Sequence, residues 1–484
     1  MADFAGQGNV NMNLPDHHTK IVATIGPASE SREILERMIR AGMNVARLNF
    51  SHGDFSAHQR MIQNIRWAAG AAERGVAIMA DLCGPKIRIG VLGPENINLK
   101  PGEQFTLTTE EIVGDEHRVS VNFPRLPQVV KAGDILYLND GYIQLEVAEV
   151  HGVDVACSVK VGGELRSKKG VNLPGIDLGI SAFTEQDHAC LKFALENGVD
   201  AVSQSFVEKA DDVVAVRKAA QELGYRPFVI AKIERSRALE HIDEILDATD
   251  GIMIARGDLG VEVPIERIAV IQKDLMRRAN QRAKPVITAT QMLESMVTDA
   301  RPTRAEATDV ANAILDGTDC VMLSEESAMG NYPIEAVAML GKIAAAVEPT
   351  RRRVRIREIH RAFEVQGQVR PAQLISLAVE ACFEYSRPAA VFVPTLSGAS
   401  ARRVAVLRLP AWIVAVSPQM KTCHDLVFSY GVMPVQEPED PTAWKPYVRN
   451  WLHEHQIPGE VVLVTGGPSP DYPDTNHHME IIEL

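Results

Sequence analysis

The chain has 484 residues, 46% of them apolar, and a formal net charge of −13 at pH 7. That length exceeds one ordinary domain, so two or three are expected; the acidic balance excludes a general nucleic-acid surface and requires any positive charge for an anionic substrate to be gathered locally. There is no uncharged apolar run of about 18 residues and no basic-then-apolar N-terminal segment, so neither a membrane span nor an export signal is expected.

Residues 1–18 are polar and aperiodic and read as an N-terminal arm. From Lys20 onward, short apolar strands alternate with amphipathic helices. Strands are predicted at Lys20 to Gly26, Val45 to Ser51, Ala77 to Leu82, Ala201 to Phe206, Phe228 to Glu234, Gly251 to Arg256, Pro285 to Gln291 and Cys320 to Glu325. Helices fit between them, as at Ser31 to Ala41, Phe55 to Arg74, Glu185 to Asn197, Asp211 to Leu223, Thr303 to Asp316 and Pro333 to Val347. This repeat defines an α/β fold, a (β/α)8 TIM barrel over residues 19–86 and 175–350, whose active site is expected at the C-terminal ends of the strands.

The rhythm breaks between Leu82 and Glu185. Short alternating runs (Gln104 to Thr108, Ile135 to Leu138, Ile143 to Val150, Val155 to Val161) and turns such as Asn139-Asp140-Gly141-Tyr142 predict a small β-barrel-like domain, residues 87–174, inserted after the third barrel strand. Emerging from the catalytic face, it is placed to act as a lid. Beyond Arg351 the pattern becomes a C-terminal open α/β domain, residues 351–484. Its strands are predicted at Ala389 to Pro394, Trp412 to Ser417, Val432 to Gln436, Val461 to Thr465 and Met479 to Glu483. The one dense basic segment, Arg351 to Glu358, reads as a solvated face or an interdomain contact. The six cysteines (Cys83, Cys157, Cys190, Cys320, Cys382, Cys423) are scattered without a C-x-x-C pair, which suits a reducing, cytoplasmic compartment.

Chemistry concentrates in Phe228 to Gly260. Lys232 and Glu234 are two apart on a strand and point to one side, where a parallel strand is normally apolar. The next strand ends in Arg256-Gly257-Asp258, so parallel neighbours roughly 5 Å apart bring Glu234 and Asp258 together. Two carboxylates with open positions suit Mg2+, and the lysine suits a phosphoryl group. The alternative is a buried Lys-Glu pair that only holds the barrel together. Gly257-Asp258-Leu259-Gly260, placed before a helix predicted around Ile265 to Arg282, favours the functional reading, because exposed N–H groups at a helix start bind anions. In Val45 to Gly53 the alternation turns Arg47, Asn49 and Ser51 inward and Ala46, Leu48 and Phe50 outward. Asp81 ends the neighbouring strand, ahead of Gly84-Pro85-Lys86-Ile87-Arg88.

With these stretches the sequence resembles the pyruvate kinases. The matching segments are Thr19 to Pro27, Arg47 to Gly53, Asp81 with Gly84 to Arg88, Lys168 to Asn172, Lys232-Ile233-Glu234, Ala255 to Glu262, Thr288 to Met296, Pro302 to Glu306 and Met322 to Ser327, in the family's order. The resemblance implies transfer of the phosphoryl group of phosphoenolpyruvate to ADP, giving pyruvate and ATP. It implies Mg2+ (or Mn2+) on Glu234 and Asp258, and the substrate carboxylate on the Gly257 and Asp258 amides. Lys232 and Arg47 would bind the transferring phosphoryl group, while Asn49, Ser51, His52, Arg88 and Lys169 would contact the nucleotide. Thr290, expected to face inward near the end of its strand, matches the threonine on the proton-donating side, with Ser324 and Glu326 as candidates for a water relay. A threonine hydroxyl is too weak an acid to donate unaided.

Two departures from the family stand out. Members that need K+ carry glutamate at the position of Lys86. Asn49, Ser51, Asp81 and the Leu82 carbonyl match the K+ ligands, so a tethered ammonium at Lys86 is expected to make K+ dispensable. In Ser324-Glu325-Glu326-Ser327 a small residue and a threonine are usual at Glu325 and Ser327, which is expected to tune activity. In the C-terminal domain Thr395, Ser397, Gly398 and Ser400 form a loop that in the family binds a phosphorylated sugar; here the expected effector is a sugar phosphate or AMP, and the alternative is an ordinary helix cap. Family resemblance also implies a homotetramer. Rival readings are another Mg2+ barrel enzyme acting on an oxoacid, which does not predict the inserted domain, and a non-catalytic sensor, which does not require intact Lys232, Glu234, Asp258, Arg47 and Thr290.

Overall fold

The computed structural model describes residues 14–351, 371–439, 441–468 and 476–484. Residues 1–13 of the predicted arm and 352–358 of the basic run lie outside the described residues.

Parallel strands at Lys20–Thr24, Met43–Asn49, Ala77–Leu82, Ala201–Gln204, Phe228–Ile233, Gly251–Ala255, Val286–Ala289 and Cys320–Leu323 close into a barrel. The eighth returns to the first, with Lys20 beside Cys320. Helix starts follow local chemistry. Ser31 and Asp54 accept the amides of Ile34 and Ala57, and Thr184 and Thr303 form reciprocal capping boxes with Asp187 and Glu306.

Alternation along the strands sorts two cores. Ala46, Leu48, Ile78, Ala80, Val229 and Ala231 pack outward on the helices. Val22, Val45, Met79, Phe228, Ile230, Met253 and Ile287 fill the barrel interior together with Val427 and Phe428 of the C-terminal domain. The Phe428 ring stacks on Phe228 at 5.2 Å, so the floor of the barrel is sealed by another domain.

Several strands stop short of their predicted C-terminal ends. The fourth ends at Gln204 and the seventh at Ala289, because Phe206 and Thr290 take left-handed backbone, with φ of 59° and 69°. The second strand ends at Asn49. Ser51 therefore does not face inward by alternation but sits exposed in a turn, its N–H bonded to Asn49 Oδ1 at 3.1 Å. The glycine-rich segment after the sixth strand is itself a helix, Arg256–Glu262, which precedes the expected one at Ile268–Gln281.

The inserted domain carries a six-stranded sheet around its own core of Phe105, Leu107, Leu136 and Leu145, plus a two-stranded pair, Asn96–Leu99 with Gly163–Arg166. The C-terminal sheet runs Val432–Gln436, Trp412–Ser417, Ala390–Pro394, Val461–Gly466 and His478–Glu483, the last antiparallel. It meets the underside of the barrel through Arg408 on Asp319, His424 on Asp200, and Lys20 Nζ donating to the Val432 carbonyl at 2.8 Å.

Candidate active site

Strand register builds the mouth of the barrel. Asn49 pairs with Asp81, and Asp81 with Ser203, so inward side chains of three neighbouring strands lie side by side. Asp81 is the hub. Its Oδ2 accepts from Arg47 Nε at 2.9 Å and from Arg47 Nη2 at 2.5 Å, and its Oδ1 accepts from Ser203 Oγ at 2.7 Å and faces Lys232 Nζ at 3.3 Å. Burial alone would raise the Asp81 carboxyl, but the ammonium and guanidinium beside it hold it below the ordinary carboxylate range. Arg47 also donates to Thr24 Oγ1 at 2.8 Å.

Lys232 Nζ is buried between Asp81 and Glu234, 2.8 Å from Glu234 Oε1, and donates to Ser205 Oγ at 2.7 Å. Burial opposes its charge, yet the two carboxylates outweigh that cost and keep it an ammonium well above its usual pKa. The other Glu234 oxygen accepts from Phe206 N at 2.8 Å, a contact that the left-handed turn at Phe206 makes available. Burial and the nearby Asp258 carboxylate raise Glu234. Asp258 is half-buried, with no ion-pair partner among the described residues. Two carboxylates that repel one another at the end of adjacent strands fit a divalent cation, whose charge would offset that repulsion.

Thr290 does not reach the site by alternation. Ile287 and Ala289 belong to the inner core, so a regular strand would turn Thr290 away. Its left-handed φ redirects the hydroxyl, which accepts from Gly257 N at 2.8 Å and donates to the Ala289 carbonyl at 2.7 Å. Glu326 is fully buried, with one oxygen on Leu293 N at 3.0 Å and the other on Ser324 N at 2.7 Å. It ties the seventh-strand loop to the eighth, with both oxygens engaged.

Toward the lid, Arg88 Nη1 donates to the Lys168 carbonyl at 2.8 Å, and Lys169 is half-buried on the same hairpin. Asn49 is half-buried, and Ser51 and His52 are exposed. Among the described residues no hydrogen bond or ion pair joins Arg88 or Lys169 to the Asn49-to-His52 turn. The Leu82 carbonyl accepts from Ser205 Oγ at 2.7 Å. Lys86 is exposed and lines a narrow cleft between lid and barrel with Asp140, Asn172, Phe206, Arg235 and Asp258. In the C-terminal domain Gly398, at φ 76°, donates its N–H to Thr395 Oγ1 at 3.0 Å, and the Ser397 carbonyl accepts from Arg402 Nη2 at 2.8 Å. Ser400 lies in the helix Ala399–Ala405 that follows.

Ser203, Ser205 and the Phe206 amide escaped sequence reasoning. The signal was present in Ser203-Gln204-Ser205, the same polar alternation at a strand end that exposed Arg47 and Asn49.

A protonated lysine caged by carboxylates at the top of a TIM barrel places the chain among the phosphotransferases built on that fold. Its barrel matches the family described as "Pyruvate kinase, barrel domain" over residues 16–337, and residues 372–482 match "Pyruvate kinase, alpha/beta domain". The chain is 47% identical to the pyruvate kinase of Thermococcus litoralis over 429 residues, covering 87% of this chain and 89% of that one. It is 42% identical to that of Thermotoga maritima over 420 residues (86% and 88%), and 42% identical to that of Geobacillus stearothermophilus over 459 (93% and 77%). The chain belongs to the pyruvate kinase family.

Proposed function

We propose that the chain transfers the phosphoryl group of phosphoenolpyruvate to ADP, giving pyruvate and ATP, with Mg2+ or Mn2+ held by Glu234 and Asp258. The observation that carries this is the Lys232 ammonium, buried 2.8 Å from Glu234 and 3.3 Å from Asp81, where it faces developing negative charge without being lost as a proton. When bound, the metal supplies charge neutralisation to the carboxylate and phosphoryl oxygens.

The remaining work falls to the chain's own groups. The Asp258 amide, at the start of Arg256–Glu262, receives the substrate carboxylate together with the Gly257 amide, which exchanges its bond to Thr290 Oγ1 for the substrate. Arg47 and Lys232 flank the phosphoryl group as its bond to the enol oxygen breaks and an ADP oxygen bonds to phosphorus, so catalysis is mainly positioning and charge stabilisation. Asn49, Ser51, His52, Arg88 and Lys169 contact the nucleotide once the lid closes. The enolate then takes a proton on carbon through water ordered by Thr290 and Ser324, while Glu326, its oxygens engaged by amides, holds Ser324 in place.

K+ is dispensable in this reading. Asp81 and the Leu82 carbonyl already have internal partners, and Lys86, exposed in the cleft between lid and barrel that Asp258 also lines, supplies the cation instead. The Thr395, Ser397, Gly398 and Ser400 loop takes a sugar phosphate or AMP, the protein works in the cytoplasm, and a homotetramer buries exposed Ile265 and Val270. The unpaired state of all six cysteines agrees with that compartment, and among the described residues no helix is long and apolar enough to cross a membrane.

Pyruvate formation from phosphoenolpyruvate, ADP and Mg2+ in K+-free buffer tests this. Turnover by the wild type that collapses by about three orders of magnitude in Lys232→Met supports it. Turnover only after K+ is added refutes the role given to Lys86, and no turnover under either condition refutes the reaction.

A further inference from the structure

The residue after the proposed metal ligand does something that the reaction scheme leaves unexplained. Arg235 is 3% exposed and reaches across the junction of lid and barrel. Its Nη2 donates to the carbonyls of Ile176 at 2.9 Å and Leu173 at 3.3 Å, where the lid chain returns to the barrel. Leu173 and Leu178 are core residues of the lid itself. The Nε side of the same guanidinium pairs with Glu208 Oε1 at 3.2 Å, after the fourth strand, and lies 3.7 Å from Glu262 Oε2, at the end of the helix whose first amides are Gly257 and Asp258. Arg237 repeats the motif from outside, bonding Glu208 Oε2 at 3.0 Å and Asp177 Oδ2 at 3.1 Å.

Two arginines two residues apart therefore sandwich Glu208 and grip the return hinge at successive points. Burial keeps the Glu208 carboxyl above its ordinary value even with Arg235 and Arg237 beside it. The guanidinium hydrogen-bonds two hinge carbonyls through Nη2 while its Nε side faces two carboxylates from different segments as ion pairs, a spread that a point-like ammonium matches poorly.

We propose that Arg235 is a positioning residue that clamps the return hinge of the lid to the strand carrying Lys232 and Glu234, and so sets the pose in which lid residues meet the nucleotide. This rests on the reaction proposed above. The clamp acts on the lid side of the site, so its loss weakens nucleotide use more than phosphoenolpyruvate use.

Arg235→Met and Arg235→Lys are compared with the wild type by steady-state kinetics and by amide hydrogen exchange across residues 165–180. The expected result for Arg235→Met is a KM for ADP raised roughly tenfold, a KM for phosphoenolpyruvate within about twofold, and roughly tenfold faster exchange in the hinge. Arg235→Lys keeps a buried charge beside Glu208 but cannot reach the hinge carbonyls as well; it is expected to restore folding stability and leave the hinge fast. Unchanged hinge exchange in both variants, or equal rises in both KM values, overturns the proposal. Exchange requires no turnover, so a wild type inactive on phosphoenolpyruvate with a loosened hinge in the variants would refute the reaction while keeping the clamp.

Discussion

Arg408 and Asp319 form a two-pronged ion pair beneath the barrel, Nη1 to Oδ1 at 2.7 Å and Nη2 to Oδ2 at 2.9 Å, with both residues buried. The same carboxylate accepts from Val286 N and Tyr430 N, both at 3.0 Å, so one side chain bonds a barrel strand and the C-terminal domain together. Truncating the arginine leaves a buried carboxylate without its counter-charge. Arg408→Met is expected to lose about 3–5 kcal/mol, read as a lower denaturant midpoint, and Arg408→Lys to recover only part of it because an ammonium cannot make both contacts.

Glu348 predicts a pH dependence. Burial pushes its carboxyl up, but the His18 ring and amide and Thr19 pull it down to about 2, against an ordinary 4.5. A depressed folded value contributes stability above the unfolded value and loses it as the pH falls through the folded one. Glu348→Gln should therefore cost roughly 3 kcal/mol at neutral pH, and the gap in Tm from the wild type should narrow steadily below pH 4.5. A gap independent of pH between neutrality and pH 3 would contradict it.

Gly84 occupies left-handed backbone at φ 64°, and a Cβ there would lie 2.7 Å from the Phe206 ring and 3.2 Å from the Ser205 carbonyl. Both neighbours position the metal side of the site, through Phe206 N on Glu234 and Ser205 Oγ on Lys232. Gly84→Ala is expected to cost about 1–3 kcal/mol of stability from the backbone alone. Because the push falls on Glu234's support, kcat should drop more than a distant mutation of equal stability cost would cause.

Glu234→Gln removes one of the two proposed metal ligands and also half the cage around Lys232. Mn2+ titration followed by electron paramagnetic resonance should show binding weakened at least about tenfold. Asp258→Asn should weaken the metal similarly but lower the melting temperature less, since Asp258 is half-buried with no ion pair among the described residues whereas Glu234 is buried against the lysine.

The barrel was legible because its signals are periodic. Ala77–Leu82 in the barrel and Trp412–Ser417 in the C-terminal sheet fall where apolar runs predict them, and the inward set of Arg47, Asp81, Lys232 and Glu234 follows from alternation alone. Alternation failed where the backbone leaves the ladder. Phe206, Thr290 and Gln291 take positive φ without being glycine, and the sequence carries no local mark of that choice. Alternation turns Ser51 inward only if the second strand runs two residues beyond Asn49, and the helix Arg256–Glu262 begins nine residues before the one expected at Ile265, where its two glycines give little helical signal. The Arg235 network was invisible for another reason: its partners come from segments between about 27 and 62 residues away in sequence, and only the closed fold brings them together.

Phe428 and Val427 complete the lower layer of the barrel from outside it. A barrel cut free at its last helix would keep its hydrogen-bonded ring of strands but open a hole lined by Phe228, Met79 and Val45, with the Cys320 thiol losing the Phe428 carbonyl that it meets at 3.3 Å. The unit that carries a complete apolar interior is therefore the barrel together with its stopper, and the chemistry at the top rests on a floor that a different domain supplies.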